Sequence, residues 1–146
     1  MTCVQVCLTT LTALCLVVSP SAPAQGQASA SRSIPDTIVQ DLGSAFSEGD
    51  AQALLDHATD RVEISLFGTR TYYSRAQALY VLRDFFKKHP PQRFESDEVA
   101  EAGTTYFVTG RYWHLRTDQP LQLYVRVSTE SEDWNLHEVR IERMRP

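Results

Sequence analysis

The side chains in this sequence with the most versatile chemistry are its four histidines, at positions 57, 89, 114 and 137. A histidine side chain can transfer protons near neutral pH or bind a metal ion. No two of the four have the spacing of a zinc-binding pair with a third ligand close by. His57 and His89 each lie at the end of a predicted helix, where interaction with the terminal carbonyl groups is the better interpretation. The spacing therefore predicts no metal site and leaves His114, within a predicted strand, as the histidine of most interest.

A catalytic role for His114 would need an acidic partner, because proton transfer requires a base held within hydrogen-bond reach of the substrate. The charged residues of the predicted strands alternate with apolar residues, which is typical of the solvent face of a sheet with one buried face. They are Glu63, Arg111, Arg126, Glu138 and Arg140. The sequence therefore favours a protein without catalytic activity and leaves an enzyme that uses His114 with a nearby carboxylate as the alternative.

Aromatic residues are dense between positions 105 and 113 and recur in the neighbouring strands, which favours a binding site. Tyrosine does not abstract protons at neutral pH, because its reference pKa is about 10. We expect a cavity between the helix at 75–88 and the strands at 105–115 and 121–129, which binds a small apolar ligand or a partner segment. No motif indicates a cofactor. The candidate ligand-binding residues are Tyr73, Tyr106, Tyr112, His114, Tyr124 and Arg126.

Local signals predict the elements that must position these residues. A first helix begins after Ser33 and ends at Gly49, because glycine accepts the left-handed conformation that often follows a helix. Asp50 then caps a second, short helix. Alternation of apolar and polar residues over 60–67 predicts a half-buried strand, and residues 70–73 could form its partner.

The segment 75–88 carries the strongest helix signals in the chain. Ser74 and Gln77 form a capping box at its start, and two prolines after His89 prevent the helix from continuing. Its apolar residues recur at helical spacing. They are Ala78, Leu79, Leu82, Phe85 and Phe86. The pattern predicts a structural helix whose apolar face packs on the sheet.

The rest of the chain has the periodicity of strands. A weak strand precedes two strong ones at 104–116 and 121–129. In the segment 134–144 the apolar residues change parity after Leu136, which predicts a bulge near His137. Helices followed by consecutive strands of this kind predict an α+β domain.

Composition excludes some classes of protein. The chain has 146 residues and a formal net charge of −4, and no run of basic residues marks a nucleic-acid-binding surface. Residues 4–18 are apolar or neutral, which is too short for a comfortable membrane span of roughly 20 residues. The small residues at Ala22 and Ala24 follow this run, a pattern typical of a cleaved signal peptide.

We therefore expect a signal peptide over residues 1–24, a disordered segment over 25–32 and a single domain over 33–146. A retained N-terminal anchor is the alternative. Cleavage after Ala24 would leave a periplasmic or secreted protein without a membrane span.

Three segments of the sequence resemble the nuclear transport factor 2-like (NTF2-like), or cystatin-like, superfamily. They are "FSEGDAQALLDHATDRVEISLFG", "YSRAQALYVLRDFF" and "LHEVRIER". Within it, the chain is similar to an exported bacterial family known as domain of unknown function 4783. Asp60–Leu66, Tyr73–Phe86 and Val139–Glu142 carry that similarity. The resemblance implies a bent antiparallel sheet of roughly four to six strands wrapped around N-terminal helices in the shape of a cone.

The resemblance leaves the function open, because some members of the superfamily catalyse isomerase or dehydratase reactions in the cone and many only bind a ligand or partner. It also implies that a homodimer could form through the sheet. Our first hypothesis is an exported, non-catalytic binding or interaction module of the bacterial envelope. The alternative is a small isomerase- or dehydratase-like enzyme with a cone pocket around His114.

We predict that the mature protein begins at Gln25 and contains no cysteine, because Cys3, Cys7 and Cys15 all precede the expected cleavage site. Intact-mass spectrometry of the protein purified from the cell envelope measures this directly. A species that retains Cys15, with or without added lipid, contradicts the prediction.

Overall fold

The structure is a computed structural model that describes residues 34–130 and 133–145. These residues form three helices and six strands. They are α1 (Ile34–Glu48), α2 (Ala51–Asp56), β1 (Ala58–Leu66), β2 (Thr69–Ser74), α3 (Arg75–Lys88), β3 (Pro91–Ala102), β4 (Thr105–His114), β5 (Thr117–Glu130) and β6 (Asp133–Arg143). None of the described helices is long and apolar enough to cross a membrane. The expected signal peptide at 1–24 and disordered segment at 25–32 lie outside the described residues and stay predictions.

The helix boundaries follow the local signals in the sequence. Gly49 has a φ of 68°, the left-handed conformation predicted after α1. The Asp50 carboxylate accepts hydrogen bonds at 3.0 Å from the backbone N–H groups of the first turn of α2. Ser74 and Gln77 form the predicted capping box of α3. These caps satisfy N–H groups that have no partner within their own helix.

The six strands form one curved, unclosed sheet in the order β2-β1-β6-β5-β4-β3. Four of the pairings are antiparallel, as predicted. The pairing of β1 with β6 is parallel instead. Parallel neighbours need a long connection, and here it consists of α3 and the four strands β2, β3, β4 and β5. Strand periodicity predicts which face of a strand is buried but not which strand lies beside it, so the parallel pair was not predictable.

The predicted bulge at His137 is confirmed. Arg126 pairs with Glu138 and Val127 pairs with Leu136, so His137 is the extra residue between them. Because of this extra residue, Leu136 and Val139 both point into the core although they differ in parity.

The helices cover one face of the sheet, and the core fills the space between them. Phe46 of α1 packs against Phe86 of α3 and Tyr112 of β4, with ring centroids 6.2 and 6.5 Å apart. The predicted apolar face of α3 is confirmed, because four of its residues are buried and Leu79 is partly buried. The four are Ala78, Leu82, Phe85 and Phe86.

The edge strand β3 reaches the core through one residue, Phe94, whose ring lies 5.4 Å from that of Phe46. This ring crosses β4 at Gly110. A Cβ atom at position 110 would lie 2.7 Å from the Phe94 ring and 2.6 Å from the Glu95 carbonyl oxygen. Glycine is therefore required there by close approach of the neighbouring strand.

A second contact between aromatic rings lies at the end of the sheet where β6 begins. The ring of His57, the residue that ends α2, stacks on Trp134 with centroids 4.0 Å apart. The Trp134 indole N–H donates to Asp41 of α1 at 3.2 Å. His57 therefore has the helix-end position that was predicted for it and also joins α2 to the sheet.

We predict that truncation on the buried face of α3 destabilises the protein far more than truncation on its exposed face. Leu82→Ala should lower the free energy of unfolding by about 2–5 kcal/mol, because a fully buried leucine leaves a cavity. Ser74→Ala should cost about 1 kcal/mol through loss of the cap. Lys87→Ala, on the exposed face, is the matched control and should have an effect near zero. Equal, small losses for Leu82→Ala and Lys87→Ala in urea titrations would show that the faces of the helix are wrongly assigned.

Candidate functional site

A cleft of about 330 Å³ opens where α3 ends, where β4 turns into β5 and where β6 ends. We call it the histidine cleft. Two backbone hydrogen bonds join its walls: Leu115 N–H donates to Pro90 O at 3.0 Å, and Phe67 N–H donates to Ile141 O at 2.8 Å. Its polar lining residues are His89, His114, Thr117, Gln119 and Arg143. Its apolar ones are Phe67, Pro120, Leu121 and Met144.

His89 is held in place on three sides. Its backbone N–H donates to Phe85 O at 2.8 Å as the last bond of α3, and its ring stacks on the Phe85 ring with centroids 4.7 Å apart. The Tyr112 hydroxyl donates to the His89 carbonyl oxygen at 2.6 Å. Burial raises the pKa of Tyr112, so that hydroxyl keeps its proton. The core residue Tyr112 therefore fixes one wall of the cleft.

His114 forms the opposite wall, as the last residue of β4. Its ring meets the His89 ring edge to face, with centroids 4.9 Å apart, and the residue is buried. Burial lowers the pKa of His114 below its ordinary 6.5, and the neighbouring His89 and Arg116 lower it further. His114 is therefore neutral at pH 7.

Arg143, the last residue of β6, contributes a permanent positive charge to the histidine cleft. Its guanidinium lies 5.0 Å from the centre of the Phe67 ring. It makes no ion pair with any residue that the structure describes. The described lining includes no carboxylate, so this charge is not neutralised within the cleft.

The structure divides the six predicted ligand-binding residues among several places. His114 lines the histidine cleft, and Tyr112 lies directly beneath it. Tyr106 is buried near the start of β4, and Tyr73 packs against the core from β2. Tyr124 and Arg126 lie on the opposite, outer face of the sheet and are considered with the groove there.

The space expected to hold a cavity, between α3 and strands β4 and β5, is largely filled by side chains. Leu82, Phe85, Tyr112 and Leu123 are all buried there. Among the described residues, those of the histidine cleft surround open space at one end of this interior. Aromatic density had predicted a cavity here, and it did not distinguish a cavity from a filled interior.

The outer face of the sheet carries a second depression, of about 270 Å³, which we call the outer groove. Its apolar surface comes from Phe107 and Tyr124, and its charged surface from Arg126, Glu138 and Arg140. Glu138 accepts hydrogen bonds from Arg140 at 2.7 Å and from Arg126 at 3.2 Å. Burial alone would raise the pKa of Glu138, but these two hydrogen bonds outweigh it and lower that pKa. Both arginines of the groove are thus already paired.

Glu63, predicted to face solvent, is on the outer face but is buried at 3% exposure. Its Oε1 atom lies 2.7 Å from Arg70 Nε. A hydrogen bond to Glu63 is also the main reason that the pKa of the exposed Tyr72 is raised. Long neighbouring side chains cover this carboxylate, an effect that strand alternation does not predict.

Sequence reasoning missed a serine–histidine pair at the bulge. Ser128 Oγ lies 2.7 Å from His137 Nε2. Burial and the charge of Arg126 lower the pKa of His137, against a smaller opposing effect of Glu130. Such a pair becomes a nucleophile and base only when a third group orients the base, and no described carboxylate is hydrogen-bonded to this imidazole. We therefore interpret the pair as a cross-strand hydrogen bond that holds the bulge.

Sequence reasoning also missed the joint role of His89 and Arg143. His89 was interpreted as a helix cap, which it is, and Arg143 was not among the candidate residues. No sequence signal joins residues so far apart in the chain. No group of three histidine, cysteine, aspartate or glutamate side chains in the described part of the chain could hold a metal ion.

The profile of the family described as Domain of unknown function (DUF4783) matches residues 39–142. The match runs from within α1 to within β6 and covers most of the chain. A search of curated protein sequences finds no match to the chain.

Solved structures share the fold. A DUF4783 family protein from Bacteroides ovatus is 19% identical with a TM-score of 0.66, over 73% of this chain and 94% of that one. One from Bacteroides uniformis is 19% identical with a TM-score of 0.66, over 73% and 97%. An NTF2-like protein of unknown function from Silicibacter pomeroyi is 12% identical with a TM-score of 0.57, over 76% and 93%. The chain therefore belongs to the DUF4783 family and has the NTF2-like α+β fold that its sequence predicted.

Proposed function

We propose that this protein is an exported, non-catalytic binding module of the bacterial envelope whose histidine cleft binds a small organic anion. The observation that carries the proposal is Arg143, a positive charge without an ion-pair partner among the described residues, in a lining without a carboxylate. Arg143 is exposed to solvent, and an anion that entered the cleft would give it an ion-pair partner. The ligand expected from the sequence was a small apolar molecule, and the charge of the lining changes that expectation.

The shape and surface of the histidine cleft set the size of the ligand. A volume of about 330 Å³ is near the lower end for small-molecule sites. Phe67, Leu121 and Met144 offer apolar contact beside the charge. These features suit a carboxylate on a short hydrocarbon chain. An arginine guanidinium can bind a carboxylate through two parallel hydrogen bonds.

Several features favour binding over catalysis. Proton transfer by His114 would benefit from a carboxylate that orients and polarises the ring, and the described lining offers none. The nearest tyrosine hydroxyl, on Tyr112, is occupied by the His89 carbonyl group. The isomerase- or dehydratase-like alternative required a carboxylate near His114, and the described lining of the histidine cleft contains none.

The outer groove supports a proposal about partners. Exposed aromatic surface on Phe107 and Tyr124, beside arginines already neutralised by Glu138, suits contact with protein more than with a free anion. A second copy of the chain, bound sheet to sheet, is the occupant that the superfamily resemblance suggests. The net charge of −4 does not favour nucleic acid as a partner.

We predict that the protein binds butyrate and similar short carboxylates and that Arg143→Gln weakens this binding about 10- to 100-fold, because a charged hydrogen-bonded pair is lost. Arg83→Gln, on the exposed side of α3, is the matched control and should bind like the wild type. Calorimetric titration gives the dissociation constants, and thermal unfolding of each variant confirms that it is folded.

Two results would count against the proposal. The first concerns the methyl ester of butyrate, which carries no charge and should not bind. If acid and ester bind equally well, the charge of Arg143 does not contribute to binding. The second result is catalysis. If the wild type turns over an isomerase or dehydratase substrate and folded His114→Asn does not, the protein is an enzyme.

A further inference from the structure

The two imidazoles of the histidine cleft are held by the backbone in opposite ways. His89 Nδ1 lies 3.2 Å from the Phe85 carbonyl oxygen. His114 Nδ1 lies 3.4 Å from the backbone nitrogen of Arg116, which donates to it. In a neutral imidazole one nitrogen carries the proton and the other accepts, so the partner of Nδ1 determines the character of Nε2.

His89 in its neutral form has an accepting ring nitrogen. A carbonyl oxygen can only accept a hydrogen bond, so Nδ1 of His89 carries the proton and donates to Phe85. In the neutral ring, Nε2 then carries a lone pair. No described residue donates to this atom in the cleft, and the ring cannot turn freely because it stacks on Phe85.

His114 presents a donor. A backbone N–H can only donate, so Nδ1 of His114 is the accepting nitrogen and Nε2 carries the proton. Burial of the ring favours this neutral form over the doubly protonated one. The rings of His89 and His114, with centroids 4.9 Å apart, line the same small cleft as the Arg143 cation.

A simple carboxylate would use only part of this arrangement. Its oxygens accept hydrogen bonds from Arg143 and from His114 Nε2–H, but they offer nothing to His89 Nε2. A ligand that also carries a donor beside its carboxylate would satisfy all three groups. A ligand without that donor would leave the partly buried acceptor of His89 unpaired. Its binding free energy would then be less favourable.

We infer that the histidine cleft selects small 2-hydroxy carboxylates, binding the carboxylate through Arg143 and His114 and accepting a hydrogen bond from the ligand hydroxyl at His89. This inference rests on the proposed function and names the class of anion. An ammonium group could also donate to His89, as in a 2-amino acid. The Arg143 charge and the lack of a carboxylate in the described lining disfavour that second positive charge.

A metal ion is a poorer fit for the same atoms. Histidines that bind metals commonly donate their other ring N–H to a backbone carbonyl, as His89 does. His114, however, presents a protonated nitrogen, and the described residues contain no third ligand. One available nitrogen beside a fixed cation does not make a metal site.

The test compares four ligands of matched length by calorimetric titration: 2-hydroxybutyrate, butyrate, 2-oxobutyrate and 2-aminobutyrate. We expect the wild type to bind 2-hydroxybutyrate about 3- to 10-fold more tightly than butyrate or 2-oxobutyrate, the factor that one hydrogen bond contributes. His89→Phe keeps the ring that stacks on Phe85 but removes the acceptor, and it should bind 2-hydroxybutyrate and butyrate equally.

The outcomes separate the inference from the proposed function. If no acid binds the wild type, the proposed function fails. If butyrate and 2-hydroxybutyrate bind equally well, or His89→Phe keeps the preference, only the inference fails. A preference for 2-aminobutyrate overturns the assignment to a hydroxyl group. Nitrogen NMR of the wild type provides a ligand-free check, since it should show the proton on Nδ1 of His89 and on Nε2 of His114, and the opposite tautomers contradict the inference.

Discussion

The packing of Tyr112 joins the core of this protein to its candidate binding site. Its side chain is fully buried and contacts the rings of Phe46, Phe85 and Phe86, which come from two different helices. Its hydroxyl donates to the carbonyl group of His89 at the end of α3. The ring thus gains apolar burial, and its polar tip satisfies a carbonyl group that the helix leaves unpaired. The position of the His89 wall therefore depends on the same contacts that hold the helices on the sheet.

Charge is distributed differently on the two faces of the sheet. On the outer face, Glu138 lies between Arg126 and Arg140, and Glu63 lies against Arg70, so these three arginines each have a neighbour of opposite charge. At the cleft end, Arg143 has none among the described residues. Paired charges on a sheet face contribute to register and solubility, whereas an unpaired charge in a concave site can bind an external partner.

The parts of the fold that could be predicted from sequence are those with local causes. The ends of α3 follow from the capping box at Ser74 and from the prolines after His89, and the bulge follows from the change of apolar parity at His137. Each of these signals lies within a few residues of the feature that it determines.

The parts that could not be predicted depend on contacts between distant segments. The histidine cleft combines residues from the end of α3, the end of β4 and the end of β6, and no periodicity relates those positions. The burial of Glu63 results from neighbours on adjacent strands. Aromatic density around Tyr112 was equally consistent with a cavity wall and with a packed core, and only the packing of the helices decides between them.

The hairpin of β3 and β4 differs in stability along its length. Near its base, Phe94 anchors β3 by crossing Gly110 to reach Phe46. Beyond that point, residues 96–102 of β3 are exposed on both faces, and only β4 contributes buried side chains. Few apolar contacts oppose local opening there, so its backbone amides should exchange with solvent by fraying of the strand instead of by global unfolding. We therefore expect local opening at the hairpin tip, whereas at the opposite end of β4 the His89 wall of the cleft is held by core contacts of Phe85 and Tyr112.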